Sequence, residues 1–197
     1  MLEVELKSVV DDMPRRRAAV EAAGATLTFS GRLEDRRYDK PDRSLTLLDH
    51  VLRVRVYRDD QGGRAQLEWK GPTRREDGFK LREELEARVV DADALVAILI
   101  QLGYVVTIAI DRVIAQYDLE GAMVRFERYP RMDNLVEVEG TPEQIERAIA
   151  VLGMPREGFT SERLPDFALR FQSRTGTHAA LSDAALAGND VFDIANA

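Results

Sequence analysis

Glu3-Val4-Glu5-Leu6-Lys7, near the start of a 197-residue chain, alternates charged with apolar side chains. Period-two alternation marks a strand, because successive side chains leave a strand on opposite faces. Glu3, Glu5 and Lys7 then share one face, and Leu2, Val4 and Leu6 the other. The pattern returns along the chain. Arg53 and Arg55 alternate with Leu52, Val54 and Val56, and Arg64, Gln66, Glu68 and Lys70 with Ala65, Leu67 and Trp69. Lys80, Arg82, Glu84 and Glu86 alternate with Leu81 and Leu85, Glu83 being the irregular member. Arg125 and Glu127 alternate with Val124 and Phe126, and Glu137 and Glu139 with Val136 and Val138. A sheet charged on one face of every strand is either a solvated sandwich face or the wall of a polar cavity.

Helices punctuate these strands. Asp11 or Asp12 caps a segment from Met13-Pro14 to about Ala23, stopped by Gly24. Asp91 opens a second, with Leu95, Ile98, Leu99 and Leu102 at helical spacing before Gly103. Thr141-Pro142-Glu143-Gln144 is a capping box for a third, carrying Ile145, Ala148, Ile149 and Leu152 before Gly153. Thr160 or Ser161 starts a fourth, with Leu164, Phe167, Leu169 and Phe171 as its apolar face. Asp60-Gln61-Gly62-Gly63 and Glu120-Gly121 read as hairpin turns. Many hairpin-linked strands with few helices predict an α+β fold built on an antiparallel sheet or barrel. The expected organisation is one domain over residues 1–175 and a flexible C-terminal tail over 176–197, with a short helix at 178–187.

Composition narrows the chemistry. The net charge of −7 and the pI near 5.0 argue against a general binder of nucleic acid or anionic membranes. With no cysteine, disulfides, thiolate catalysis and cysteine–zinc sites are excluded, and the two histidines, His50 and His178, stand far apart. No apolar run reaches the roughly 18 residues of a membrane span. The chain opens on a strand pattern and not a signal-peptide profile, so a cytoplasmic protein is the expectation.

Helices with apolar stripes must cover the apolar strand faces, which turns the charged faces inward, into the lumen of a closed or nearly closed barrel. Ionic groups in a narrow lumen are costly unless paired, hydrated or bound to a ligand. Lys7, Arg53, Arg55, Lys70, Arg82 and Arg112 offer cationic donors, with Lys80 and Arg125 as further candidates. Glu3, Glu5, Glu127, Glu137 and Glu139 offer the hard oxygens that Mg2+ or Mn2+ prefers. Cations for phosphates beside carboxylates for a divalent metal describe a polyphosphate–metal site.

These residues resemble the CYTH family, the triphosphate tunnel metalloenzymes. Glu3-x-Glu5-x-Lys7 resembles its opening signature, Arg37-Tyr38-Asp39 with Leu45 its Tyr-x-Asp segment, and Leu52-Arg53-Val54-Arg55 its Arg-x-Arg strand. Leu67-Glu68-Trp69-Lys70-Gly71-Pro72, Arg82-x-Glu84-x-Glu86 and Glu137-Val138-Glu139-Gly140 match later strands in order, over roughly residues 1–172. The resemblance implies an eight-stranded antiparallel β-barrel, the triphosphate tunnel, with helices packed outside. It makes Glu3, Glu5, Glu137 and Glu139 metal ligands and Lys7, Arg53, Arg55, Lys70 and Arg82 phosphate donors. It also implies a nucleoside or other triphosphate as substrate and Mg2+ or Mn2+ as cofactor, and it permits a homodimer. Length, the Trp-Lys-Gly-Pro hairpin and the Thr160–Arg174 segment look most similar to class IV adenylate cyclases, which convert ATP to cyclic AMP and pyrophosphate. A triphosphatase and a non-catalytic polyphosphate binder are the alternatives. Two departures stand out. Glu127 occupies a place where the family usually carries Asp, and Ile114 stands where a second cation would follow Arg112. Arg125, on the same face as Glu127, is the expected replacement for that cation.

Overall fold

The computed structural model describes residues 2–76 and 79–189, and at residues 2, 3, 75, 76, 79 and 80 the backbone alone. The expected side-chain roles of Glu3 and Lys80 therefore lie outside the described residues. Nine strands run through the described chain: β1 (Leu2–Val9), β2 (Thr26–Asp39), β3 (Val51–Asp59), β4 (Gly62–Lys70), β5 (Arg74–Glu76), β6 (Phe79–Val89), β7 (Val105–Leu119), β8 (Ala122–Arg128) and β9 (Leu135–Glu139). Eight of them form one antiparallel sheet in the order β1-β9-β8-β7-β2-β3-β4-β6, and β6 then pairs with β1 to close the barrel. The three-residue β5 adds to the free part of β6. Closure satisfies the sheet edges that an open sheet would present.

Among the described residues six α-helices accompany the barrel: α1 (Met13–Ala22), α2 (Ser44–Leu47), α3 (Ala92–Gln101), α4 (Pro142–Leu152), α5 (Leu164–Thr175) and α6 (Asp183–Leu186). The sequence marks their ends. Asp12 caps α1 through the Arg15 amide, Asp91 caps α3 through Ala94, and Thr141 with Gln144 forms the capping box of α4. Gly153 ends α4 in the left-handed region at φ 64°, where a residue with a Cβ is strained.

The apolar strand faces point outward. Leu6, Val124, Phe126, Val136 and Val138 are almost fully buried against Ile145, Ala148, Ile149 and Leu152 of α4 and Val20 of α1. Burial of aliphatic side chains on this scale, at about 25 cal/mol per Å² removed from water, pins that half of the barrel to its helices. On the other side Tyr38 and Val54 pack with Leu99 of α3, with Leu95 and Val96 beside them. The charged faces are thereby left facing the bore, as the alternation predicts.

Two local expectations need correction. In α3, Ile98 and Leu102 are 55% and 60% exposed, so the buried edge runs through Leu95, Val96 and Leu99. In α5, Leu169 is 50% exposed, and Leu164, Phe167 and Ala168 are the buried positions. In the segment after Arg174, residues 179–182 are docked on the barrel, while 175–178 and most of 183–189 are exposed. The Asp111 amide donates to the Leu181 carbonyl, Arg131 and Ala180 exchange backbone hydrogen bonds, and Ala179 to Ser182 are buried. No described helix is long and apolar enough to cross a membrane.

Candidate active site

The barrel encloses a polar cavity of about 430 Å³. Strand register decides which side chains meet there. Antiparallel pairing sets Arg37 opposite Arg53, Asp35 opposite Arg55, Lys7 opposite Glu137, and Arg125 opposite Glu137 from the other side. Of the predicted residues with described side chains, Glu5, Lys7, Arg53, Arg55, Lys70 and Arg82 line the cavity, and so do Arg112, Arg125, Glu127, Glu137 and Glu139.

Most of these charges are tied into one network. Arg53 Nε donates to Glu68 Oε2 at 2.6 Å, while Arg55 lies 3.1 Å from Glu68 Oε1 and donates to Asp35 Oδ1 at 2.8 Å. Asp35 Oδ2 meets Arg112 at 2.8 Å, and Arg112 Nε lies 3.2 Å from Glu127 Oε1. Arg125 reaches both Glu127 and Glu137, and Lys7 Nζ bridges Glu137 at 2.7 Å and Glu5 at 3.0 Å. Lys70 pairs with Glu84. Arg82 donates to the carbonyls of Gly71 and Asp49, at 2.6 and 2.5 Å.

The network fixes protonation states. Burial alone would raise the Asp35 pKa, but the guanidiniums of Arg55, Arg112 and Arg53 outweigh it and hold the carboxyl well below its usual range. Glu137 is likewise held low, burial being overcome by Arg125 and Lys7. Burial works against the charge on Lys7, yet Glu137 and Glu5 hold its pKa above the ordinary lysine value. Lys7 is thus held in its protonated form by the two carboxylates it bridges.

Arg37 stands apart. Its Nε is buried without a hydrogen-bond partner, and no described carboxylate pairs with it. Burial and the neighbouring cations Arg53, Arg82 and Arg112 pull its pKa down to about 10, against the pull of Asp35. Two arginines facing each other across a strand pair repel. An anion between them would relieve both penalties.

Sequence reasoning passed over Asp35, and gave Arg37 and Glu68 no role at the site. Strand β2 hides its phase because its outer face, Arg32, Glu34 and Arg36, is as charged as its inner one. The pairing with β7 also slips between Arg37 and Tyr38, where β7 carries Thr107 as an extra residue, while the alternation along β2 continues. Tyr38, next to the inward Arg37, packs outward, and the Asp39 carboxylate accepts from the amides of Lys40, Leu45 and Thr46 and from the Thr46 hydroxyl, which holds the loop before β3. Ile114 does point inward. It packs with Leu33, Tyr57 and Phe29 in a small apolar cluster, which accounts for the missing cation.

The carboxylates divide in their fitness for a divalent metal. Glu5 and Glu139 are direct cross-strand neighbours and both line the bore, a like-charge pairing that a cation between them would favour. Glu127 and Glu137 are already bridged by Arg125. Among the described residues no group of three or more His, Asp or Glu side chains converges as a ready-made cage.

A family model for the CYTH domain matches residues 1–148. The chain belongs to the CYTH domain family. Solved structures share its fold. A Vibrio parahaemolyticus protein described as a candidate adenylate cyclase superposes with a TM-score of 0.72 at 18% identity, covering 85% of this CYTH chain and 97% of its own. The PH1819 protein of Pyrococcus horikoshii gives 0.69 at 22% identity, with 85% and 98% covered. HpAC1 from Hippeastrum, described as a candidate adenylyl cyclase with a dominant triphosphatase activity, gives 0.60 at 18% identity, with 92% and 98% covered. At such identities the likeness speaks for the fold. No curated protein sequence matches the chain.

Proposed function

We propose that this CYTH protein is a divalent-metal-dependent enzyme acting on a nucleoside triphosphate held in the bore, converting ATP to cyclic AMP and pyrophosphate. The observation that carries the triphosphate reading is Arg37, a partly buried arginine that lines the cavity with a buried, unpartnered Nε, opposite Arg53 and near Arg82. Fixed cations of this kind hold a phosphate chain in line without reorganising during reaction. Ile108 and Leu164 give the otherwise polar cavity an apolar stretch, suited to an organic group attached to the phosphates.

In this reading Arg37, Arg53, Lys70 and Arg82 orient the triphosphate and stabilise the pyrophosphate that leaves when the ribose 3′-hydroxyl attacks the α-phosphorus. Lys7, held protonated, donates a hydrogen bond to a phosphate oxygen. Glu5 and Glu139 would hold Mg2+ or Mn2+, which supplies charge neutralisation at phosphate oxygens when bound. A triphosphatase is the second reading, favoured by the activity described for HpAC1 and by the same cation set.

Incubation of the purified protein with ATP and Mn2+, followed by separation of products, decides between them. Cyclic AMP with pyrophosphate is expected; ADP with phosphate would support hydrolysis, and no turnover at all would leave a binding protein. Glu5→Gln and Glu139→Gln should abolish any metal-dependent product.

A further inference from the structure

Glu127 and Glu137 would ordinarily count as metal ligands, yet every one of their carboxylate oxygens faces a fixed donor. Glu127 Oε1 accepts from Arg125 Nε at 2.9 Å and lies 3.2 Å from Arg112 Nε, while Glu127 Oε2 accepts from the Tyr129 hydroxyl at 2.5 Å. Glu137 Oε1 accepts from Arg125 Nη2, and Glu137 Oε2 meets Lys7 Nζ at 2.7 Å. Arg125 is placed between the two acids by the backbone. It is two residues from Glu127 on the same face of β8 and directly opposite Glu137 on β9. Its side chain is 8% exposed, and those of Glu127 and Glu137 are 1% and 4% exposed.

We propose that Arg125 is a built-in cation in the place between Glu127 and Glu137, so that this chain takes divalent metal only at the Glu5–Glu139 end of the bore. The inference rests on the reading that the bore binds a metal–triphosphate complex. A divalent ion between Glu127 and Glu137 would displace a guanidinium bound to both, and would sit beside the charges of Arg112 and Lys7 as well. A planar guanidinium suits this place because its fork binds two carboxylates at once and stays charged at any physiological pH. The neighbouring Ile114, directly opposite Glu127 on β7, brings no charge from that side.

The test counts metal. Full-length protein is mixed with a non-hydrolysable ATP analogue and titrated with Mn2+, the free ion being read by its electron paramagnetic resonance signal. The wild type should bind about one Mn2+ per bound nucleotide, and Arg125→Met about two, because Glu127 and Glu137 then lack their cation. Arg125→Met should also gain a larger rise in Tm from Mn2+ without nucleotide than the wild type does. Adding Glu127→Gln should return both readouts to the wild-type pattern, and it lowers the buried negative charge should the single variant fold poorly. Two Mn2+ on the wild type, or one on Arg125→Met, would overturn the proposal while leaving the triphosphate reading intact. Failure of the wild type to bind the analogue at all would overturn both.

Discussion

At the scale of single residues, the bore separates groups that hold the fold from groups poised for a ligand. Asp35 is 1% exposed and pairs with both Arg55 and Arg112. Removing one partner of a buried ionic cluster leaves uncompensated charge, typically costing about 3–5 kcal/mol. Asp35→Asn should therefore lower the unfolding free energy by about that amount in urea titrations, well before any effect on catalysis is considered. Arg37 should behave oppositely. Its guanidinium lacks an ionic partner among the described residues, so Arg37→Met is expected to leave stability unchanged or raised. A hydrogen bond to a charged group is worth about 1.5–3 kcal/mol, so the same change should weaken triphosphate binding by at least about tenfold. Calorimetric affinity and thermal melting, measured on the same variant, separate the two effects. A loss of stability with unaltered affinity would make Arg37 a structural residue.

At the scale of elements, alternation was legible wherever one strand face was apolar. β1, β3, β4, β8 and β9 announce their inner residues because Val, Leu and Phe occupy the other side. Helix ends were legible because capping is local chemistry: Asp12, Asp91 and Thr141 accept amide hydrogens three residues ahead. What stayed hidden depends on tertiary context. β2 carries charge on both faces, and Gly31 gives no hint in sequence that a Cβ there would meet the Arg58 carbonyl at 2.3 Å. The docking of residues 179–182 was equally hidden, since Ala179-Ala180-Leu181-Ser182 has neither helical nor strand periodicity. Its interactions include backbone hydrogen bonds to Asp111 and Arg131, the Ala179 amide donating to Gln172 Oε1, and the contact of Leu181 with the cluster of Ile108, Ile110 and Phe167. Leu181→Ala should cost about 2–3 kcal/mol by cavity formation, read as a lowered urea midpoint. No change would mean that the segment only rests on the barrel.

At the scale of the whole molecule, two charge balances act together. The carboxylates Asp35, Glu68 and Glu137 have folded-state pKa values below their unfolded ones, because nearby guanidiniums and Lys7 outweigh burial. Their stabilisation is fully present above the unfolded carboxylate pKa of about 4 and is lost as pH falls through the lower folded values. Unfolding free energy should therefore be nearly flat from neutral pH down to about 5 and drop below about 4, with a shallower drop in Asp35→Asn. The second balance concerns the ligand. Basic and acidic side chains line the bore in near-equal numbers, and the chain as a whole carries −7. A bare triphosphate, with about four negative charges, would meet almost as many carboxylates as cations, whereas its metal complex carries about half that charge. Removal of divalent metal with EDTA should thus weaken ATP-analogue binding by more than about tenfold, and added Mn2+ should restore it. Because the favourable contacts are short-range pairs inside a closed barrel, not a long-range basic field, raising salt from about 0.05 to 0.3 M should change the metal-complex affinity far less than EDTA does. Tight binding of the bare nucleotide in EDTA would show that the cations outweigh the carboxylates, and that Glu5 and Glu139 serve the barrel and not a metal.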